Sequence, residues 1–114
     1  MNESRKAVFA RLETRFHEIY GNSHGLRFFT APGRTELGGN HTDHNNGRVL
    51  AAAIDLEAAA VAQACEGVIE LHSAGWEQPF VVQLDDLGPN PAETGRTEAL
   101  LRGVAAGFLK RGHR

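Results

Sequence analysis

Apolar residues near the start of the chain recur with a helical period. Val8, Phe9, Leu12, Phe16, Ile19 and Tyr20 fall at i, i+1, i+4, i+8, i+11 and i+12, one face of a helix. The spacing predicts a helix over about Ser4 to Tyr20, stopped by Gly21. The pattern then changes. Leu26 to Thr30 reads as a short strand that delivers the chain to Ala31-Pro32-Gly33 and a long polar loop, within which part of Thr35 to Gly39 is open to pairing as a strand. Val49 to Ile54 is apolar enough for a buried strand. Leu56 to Ala64 is alanine-rich and reads as strand, because a helix starting directly after Ile54 would leave no turn between the two. Val68 to Ser73 alternates, with Ile69 and Leu71 on one face and Glu70 and His72 on the other. Phe80 to Leu84 is its expected partner across a turn at Gly75 to Gln78.

Asp85 to Gly95, with Pro89 and Pro91, reads as loop. A second helix is expected from Thr97, with an apolar stripe of Leu100, Leu101, Val104 and Phe108. Lys110 and Arg111 lie at the negative end of its dipole. Helix, several strands, helix is an α+β pattern: a mixed or mostly antiparallel sheet with helices packed on one face. No strand or cap is predicted beyond the second helix, which places the end of the chain inside a larger fold.

Composition narrows the function classes. The chain has 114 residues and 41% apolar content, enough for a core and unlike a disordered segment. A net charge of −2 with interspersed signs argues against a nucleic-acid partner, which needs clustered cations. No apolar run approaches membrane-spanning length, and the N-terminus has no apolar export block, so the cytoplasm is the expected compartment. The single cysteine, Cys65, has no internal disulfide partner and no basic neighbour; it reads as a structural thiol.

The candidate chemistry is concentrated in APGRTELGGNHTDHNNGRVLAAAID, residues 31 to 55. Arg34, Glu36, Asn40, His41, Asp43, His44, Asn45 and Asn46 are packed between glycines just ahead of an apolar strand. Such a density of fixed polar groups suits a polar ligand. A sugar is one, since each hydroxyl both donates and accepts. Arg34 offers a permanently charged, rigid fork of donors, to orient a hydroxyl or lower the pKa of a nearby carboxylate, or else to tie down its own loop. His41 and Asp43, two apart, share a side in extended backbone. Asp43 accepts from two hydroxyls, and Asn40 both donates and accepts. The local alternative is that these residues close turns on their own backbone, and for Asn45 and Asn46 before Gly47 that reading is preferred. Glu36 is a candidate acid or base, with a strand-face or turn residue the preferred reading. Trp76 and Tyr20 read as packing groups. His41, Asp43 and His44 do not complete a metal motif, because Gly39 stands where a further histidine is needed. Gly33 to Gly39 lacks the Gly-Lys-Ser/Thr ending of a phosphate-binding P-loop.

The stretch resembles the galactokinase signature, roughly GRxNLIGEHxDY preceded by Ala-Pro and followed by Asn-Gly and an apolar strand. Ala31, Pro32, Gly33, Arg34, Leu37, Gly39, His41 and Asp43 match it, as do Asn46-Gly47 and Val49-Leu50 beyond it. The resemblance continues through Leu84-Asp85-Asp86-Leu87 to the helix EALLRGVAAGFLKRG. It implies the N-terminal portion of a two-domain sugar-kinase fold, related to homoserine and mevalonate kinases. It further implies phosphoryl transfer from ATP, with Mg2+, to the C1 hydroxyl of galactose. By resemblance Arg34 lies near the anomeric hydroxyl and assists an aspartate from later in the chain, and His41 and Asp43 lie on the sugar side, Asp43 bonding ring hydroxyls. Asn40 stands at a sugar-contacting position.

Four positions depart from the signature: Glu36 for Asn, Gly38 for Ile, Asn40 for Glu and His44 for Tyr. The neutral acceptor at Asn40 is expected to weaken a hydroxyl contact by ~1 kcal/mol. A related sugar, or a sugar-sensing regulator built on the same loop, are the alternatives. The family's nucleotide loop, catalytic aspartate and second domain have no counterpart in these residues, so the 114-residue segment by itself is expected to be inactive.

Overall fold

A computed structural model describes residues 3–21, 24–39 and 43–113, with the backbone alone for Asp43. The chain divides into two compact units, Met1–Gln63 and Ala64–Arg114.

The first unit is a helix against an antiparallel strand pair. Helix α1 spans Arg5–Tyr20. Ser4 caps it, its hydroxyl accepting from the Ala7 amide, which satisfies one of the donors a helix start leaves open. Gly21 ends it with φ 76°, in the left-handed region where a side chain is unwelcome, and its amide donates to the His17 carbonyl. Strand β1 is Arg27–Gly38 and β2 is Leu50–Ala62, paired from Arg27 opposite Ala62 to Gly38 opposite Leu50. Phe9 of α1 meets Phe28 of β1 with ring centroids 5.0 Å apart. Arg5 holds Glu57 of β2 through two charge-assisted hydrogen bonds, Nε to Oε2 at 3.0 Å and Nη2 to Oε1.

Two expectations change here. The run Ala31 to Arg34 is strand, not loop, and joins the strand at Thr30 to the one left open over Thr35 to Gly39: Pro32 pairs opposite Glu57, and Arg34 opposite Ala53. Pro32 stands at a register irregularity, one of the places in a sheet where a residue without an N–H is tolerated. Leu50 to Ala62 is one continuous strand, but not a buried one; Leu50 and Leu56 stand 65% and 66% exposed. The physical reason is that β1 pairs along one edge of β2 and leaves its faces open, with α1 as the element packed on them within this unit.

The second unit holds β3 (Val68–Leu71) and β4 (Phe80–Gln83), antiparallel with Val68 opposite Gln83, followed by helix α2 (Thr97–Lys110). Among the described residues β3 pairs with β4 as β1 does with β2, each pair antiparallel. The strand forms but its burial does not alternate: Val68 and Ile69 are half-buried while Glu70 and Leu71 are exposed, and Glu70 meets His72, just past the strand, at 2.8 Å. Among the described residues Phe80, Val82 and Arg102 are the buried ones, all in this unit. Trp76 packs edge-on against Phe80 at 5.2 Å, and the exposed Cys65 thiol bonds the Val68 carbonyl at 3.2 Å.

Helix α2 buries a different face from the one its apolar stripe predicts. Leu100, Val104 and Phe108 stand more than half exposed, whereas Arg102 is buried. Its guanidinium forks onto Glu93, at 2.9 Å from Nε and 2.8 Å from Nη2, and donates to the Asp86 carbonyl. That clamp fixes the loop after β4 and its short 3-10 turn, Pro91–Glu93, to the helix. The hydrogen bonds from Arg102 hold the Glu93 carboxyl below the usual carboxylate range.

Candidate functional site

The site region is the far end of the β1–β2 pair and the connection between the strands. Register shifts fall between Pro32 and Arg34 and between Glu36 and Gly38, so the short segment Arg34–Thr35–Glu36 is bracketed by irregularities. Bulges bend a strand and re-aim its side chains. Arg34 and Glu36, two apart in extended backbone, share one face. Opposite them on β2 lie Ala53 and Ala51, whose short side chains leave room above the strand. Arg34, Glu36, Val49 and Ala51 line an open hollow of about 280 Å³. Within it the Arg34 guanidinium stands 3.6 Å from the Glu36 carboxylate.

Gly33 supports this arrangement. A Cβ there would lie 3.0 Å from the Ile54 side chain, so the absent side chain lets Ile54 cross the strand pair at the first bulge. Gly39 is the more stringent case. Its φ is +83°, and a Cβ would lie 2.1 Å from the Arg48 carbonyl oxygen and 2.9 Å from the Val49 Cα. The two ends of the connection therefore touch backbone to backbone. Between them a 3-10 turn covers Asp43–Asn45, and Asn46 takes φ 59°, as a turn-closing asparagine does.

Of the residues singled out from sequence, Arg34 lies on β1 at the hollow, 71% exposed at its side chain. Asn40 and His41 lie outside the described residues. Asp43 begins the 3-10 turn, and its side chain also lies outside the description. Glu36, read as a strand-face residue, is one, and it also pairs with Arg34, which sequence reasoning passed over. The signal was available: opposite charges two apart in a strand share a side.

Residues 14–64 match the model of the galactokinase galactose-binding signature. That segment takes in the second half of α1, both strands and the connection between them. The chain is homologous to the N-terminal part of galactokinases. It is 37% identical over 90 residues to a galactokinase of Bacillus subtilis, covering 76% of this chain and 21% of the relative. To a galactokinase of Streptomyces coelicolor it is 39% identical over 87 residues, covering 74% of this chain and 22% of the relative. The crystal structure of Lactococcus lactis galactokinase complexed with galactose superposes with a TM-score of 0.79 at 25% identity, over 94% of this chain and 28% of that one. The chain therefore spans about a fifth of the length of the two curated galactokinases. Among the described residues no helix is long and apolar enough to cross a membrane.

Proposed function

We propose that this segment is the galactose-gripping part of an ATP-dependent kinase that phosphorylates the C1 hydroxyl of galactose. The observation that carries the reading is the coincidence of the galactose-binding signature with the β1–connection–β2 hairpin, where Arg34 stands over a hollow at the loop's base. Arg34 acts near the anomeric hydroxyl. Its permanent charge stabilises the oxygen as its proton leaves. His41 and Asp43 bond the ring hydroxyls, and Asn40 offers an amide to one more. Phosphoryl transfer depends mostly on positioning and charge stabilisation, and holding the acceptor hydroxyl still is the contribution of this segment.

ATP with Mg2+ supplies the transferred group. Among the described residues no group of three or more His, Cys, Asp or Glu gathers as a metal site. The protein works in the cytoplasm, where ATP is at hand. Asn40 in place of a glutamate leaves a related hexose as the second candidate substrate.

The test is galactose-dependent ADP release by the full-length gene product, measured beside glucose and other hexoses. The proposal expects turnover with galactose that falls on the order of 100-fold or more in Arg34→Ala. Turnover with another hexose in preference to galactose, or an unaffected Arg34→Ala protein, refutes it.

A further inference from the structure

We infer that Glu36 is a positioning residue that aims Arg34 at the sugar. The inference rests on the proposed galactose site and names a residue to which the site reading gives no role.

The pair is a poor stability device as it stands. Arg34 is 71% exposed, and the 3.6 Å separation is longer than a formed hydrogen bond. Ion pairs of that kind are screened by water and add little to folding. The two ends of the pair differ, however. The Glu36 side chain is 22% exposed, largely held against its surroundings on β1, whereas the Arg34 side chain is 71% exposed on a long stem. A largely buried carboxylate beside an exposed cation biases the cation toward one direction. Both groups line the same hollow, opposite alanines too short to compete for the guanidinium. A ligand seated in the hollow displaces water from around the pair. The attraction then strengthens as the local dielectric falls, so the carboxylate takes hold of Arg34 when the site is filled.

The sequence shows a matching exchange. The signature places an amide at the position of Glu36 and a carboxylate at the position of Asn40; this chain has them the other way round. The loop keeps its formal charge while the carboxylate moves four residues upstream, onto rigid strand and next to Arg34. A negative charge at Glu36 is thus available to orient the guanidinium in a way an amide cannot match, because charge-assisted bonds to arginine are roughly twice as strong as neutral ones.

The experiment is a double-mutant cycle on galactose affinity in the full-length gene product, by isothermal titration, with thermal melts of each variant. Glu36→Gln is expected to weaken galactose binding about tenfold in the native background and less than about twofold in Arg34→Ala, since the residue acts through the arginine. Glu36→Asp, which keeps the charge, recovers part of the loss. Equal effects of Glu36→Gln in both backgrounds, unchanged affinity, or a collapsed melt in Glu36→Gln overturn the positioning role while leaving the galactose site standing. Absence of galactose binding by the native protein overturns the site and this inference together.

Discussion

Replacing Gly39 by alanine should disable the sugar loop, while the same change one residue earlier should not. At Gly39 the backbone has φ +83°, and an added Cβ would lie 2.1 Å from the Arg48 carbonyl oxygen and 2.9 Å from the Val49 Cα. Neither contact is relieved by turning a side chain, because both are with backbone. A side chain in the left-handed region costs about 1–2 kcal/mol. Forcing closely packed atoms apart costs about 1–3 kcal/mol more. The sum, ~2–5 kcal/mol, exceeds what a loop closed by local turns can absorb in place, so the two ends of the connection must separate. Each 1.4 kcal/mol is tenfold in affinity. Allowing for partial relaxation, galactose binding should weaken on the order of 10- to 100-fold. Gly38, the last residue of β1, has nothing within 4 Å of an added Cβ and no unusual φ, and so provides the control. Titration of galactose into Gly38→Ala and Gly39→Ala proteins, with melts recorded alongside, makes the comparison. Equal affinities in the two variants would refute the argument that the close approach at Gly39 shapes the site.

Two further outcomes follow from the second unit. Val82 is fully buried, so Val82→Ala removes two methyl groups at ~0.8 kcal/mol each and leaves a cavity, a loss of roughly 2–3 kcal/mol. A thermal melt should fall by roughly 4–8 °C for each kcal/mol, and an unchanged midpoint would contradict the placement of the core. The Glu93 carboxyl is held below its ordinary range by Arg102, so the unfolded chain binds this proton more readily than the folded one. The resulting stability is fully present above the ordinary carboxylate pKa, about 4.3, and is lost as pH falls through the lowered folded value. Glu93→Gln should therefore flatten the acid limb of a stability-against-pH curve; an acid limb identical to that of the native protein would contradict the clamp.

Both helices and the β3–β4 pair were legible in the residues. The α1 stripe ends at a glycine whose φ of 76° required one, and the two short runs Val68–Leu71 and Phe80–Gln83 pair across a turn as read. The extent of β1 was not legible. Pro32 and the density of polar groups after it are ordinary loop signs, and they mislead because a strand in a two-stranded pair tolerates a proline and needs no apolar face. Periodicity also located the apolar stripe of α2 without saying what it faces; Leu100, Val104 and Phe108 stay exposed. The buried Arg102 was hidden for another reason. Its partner Glu93 lies in an irregular loop, where no period relates the two, and a cation with a long apolar stem gives no sign from sequence that it will be buried. At the site, the hairpin matching the galactose-binding signature confirms the family reading of residues 31 to 55, while the hollow at Arg34 and its pairing with Glu36 came from geometry.

The most direct measurement is where galactose touches this segment. In amide spectra of the isotopically labelled full-length gene product, addition of galactose should shift the resonances of Arg34, Glu36, Gly39 and residues 40–47, and leave those of α2 in place. Shifts confined to α2 or the β3–β4 pair, or no saturable change at all, would contradict the assignment of the sugar to the β1–β2 hairpin.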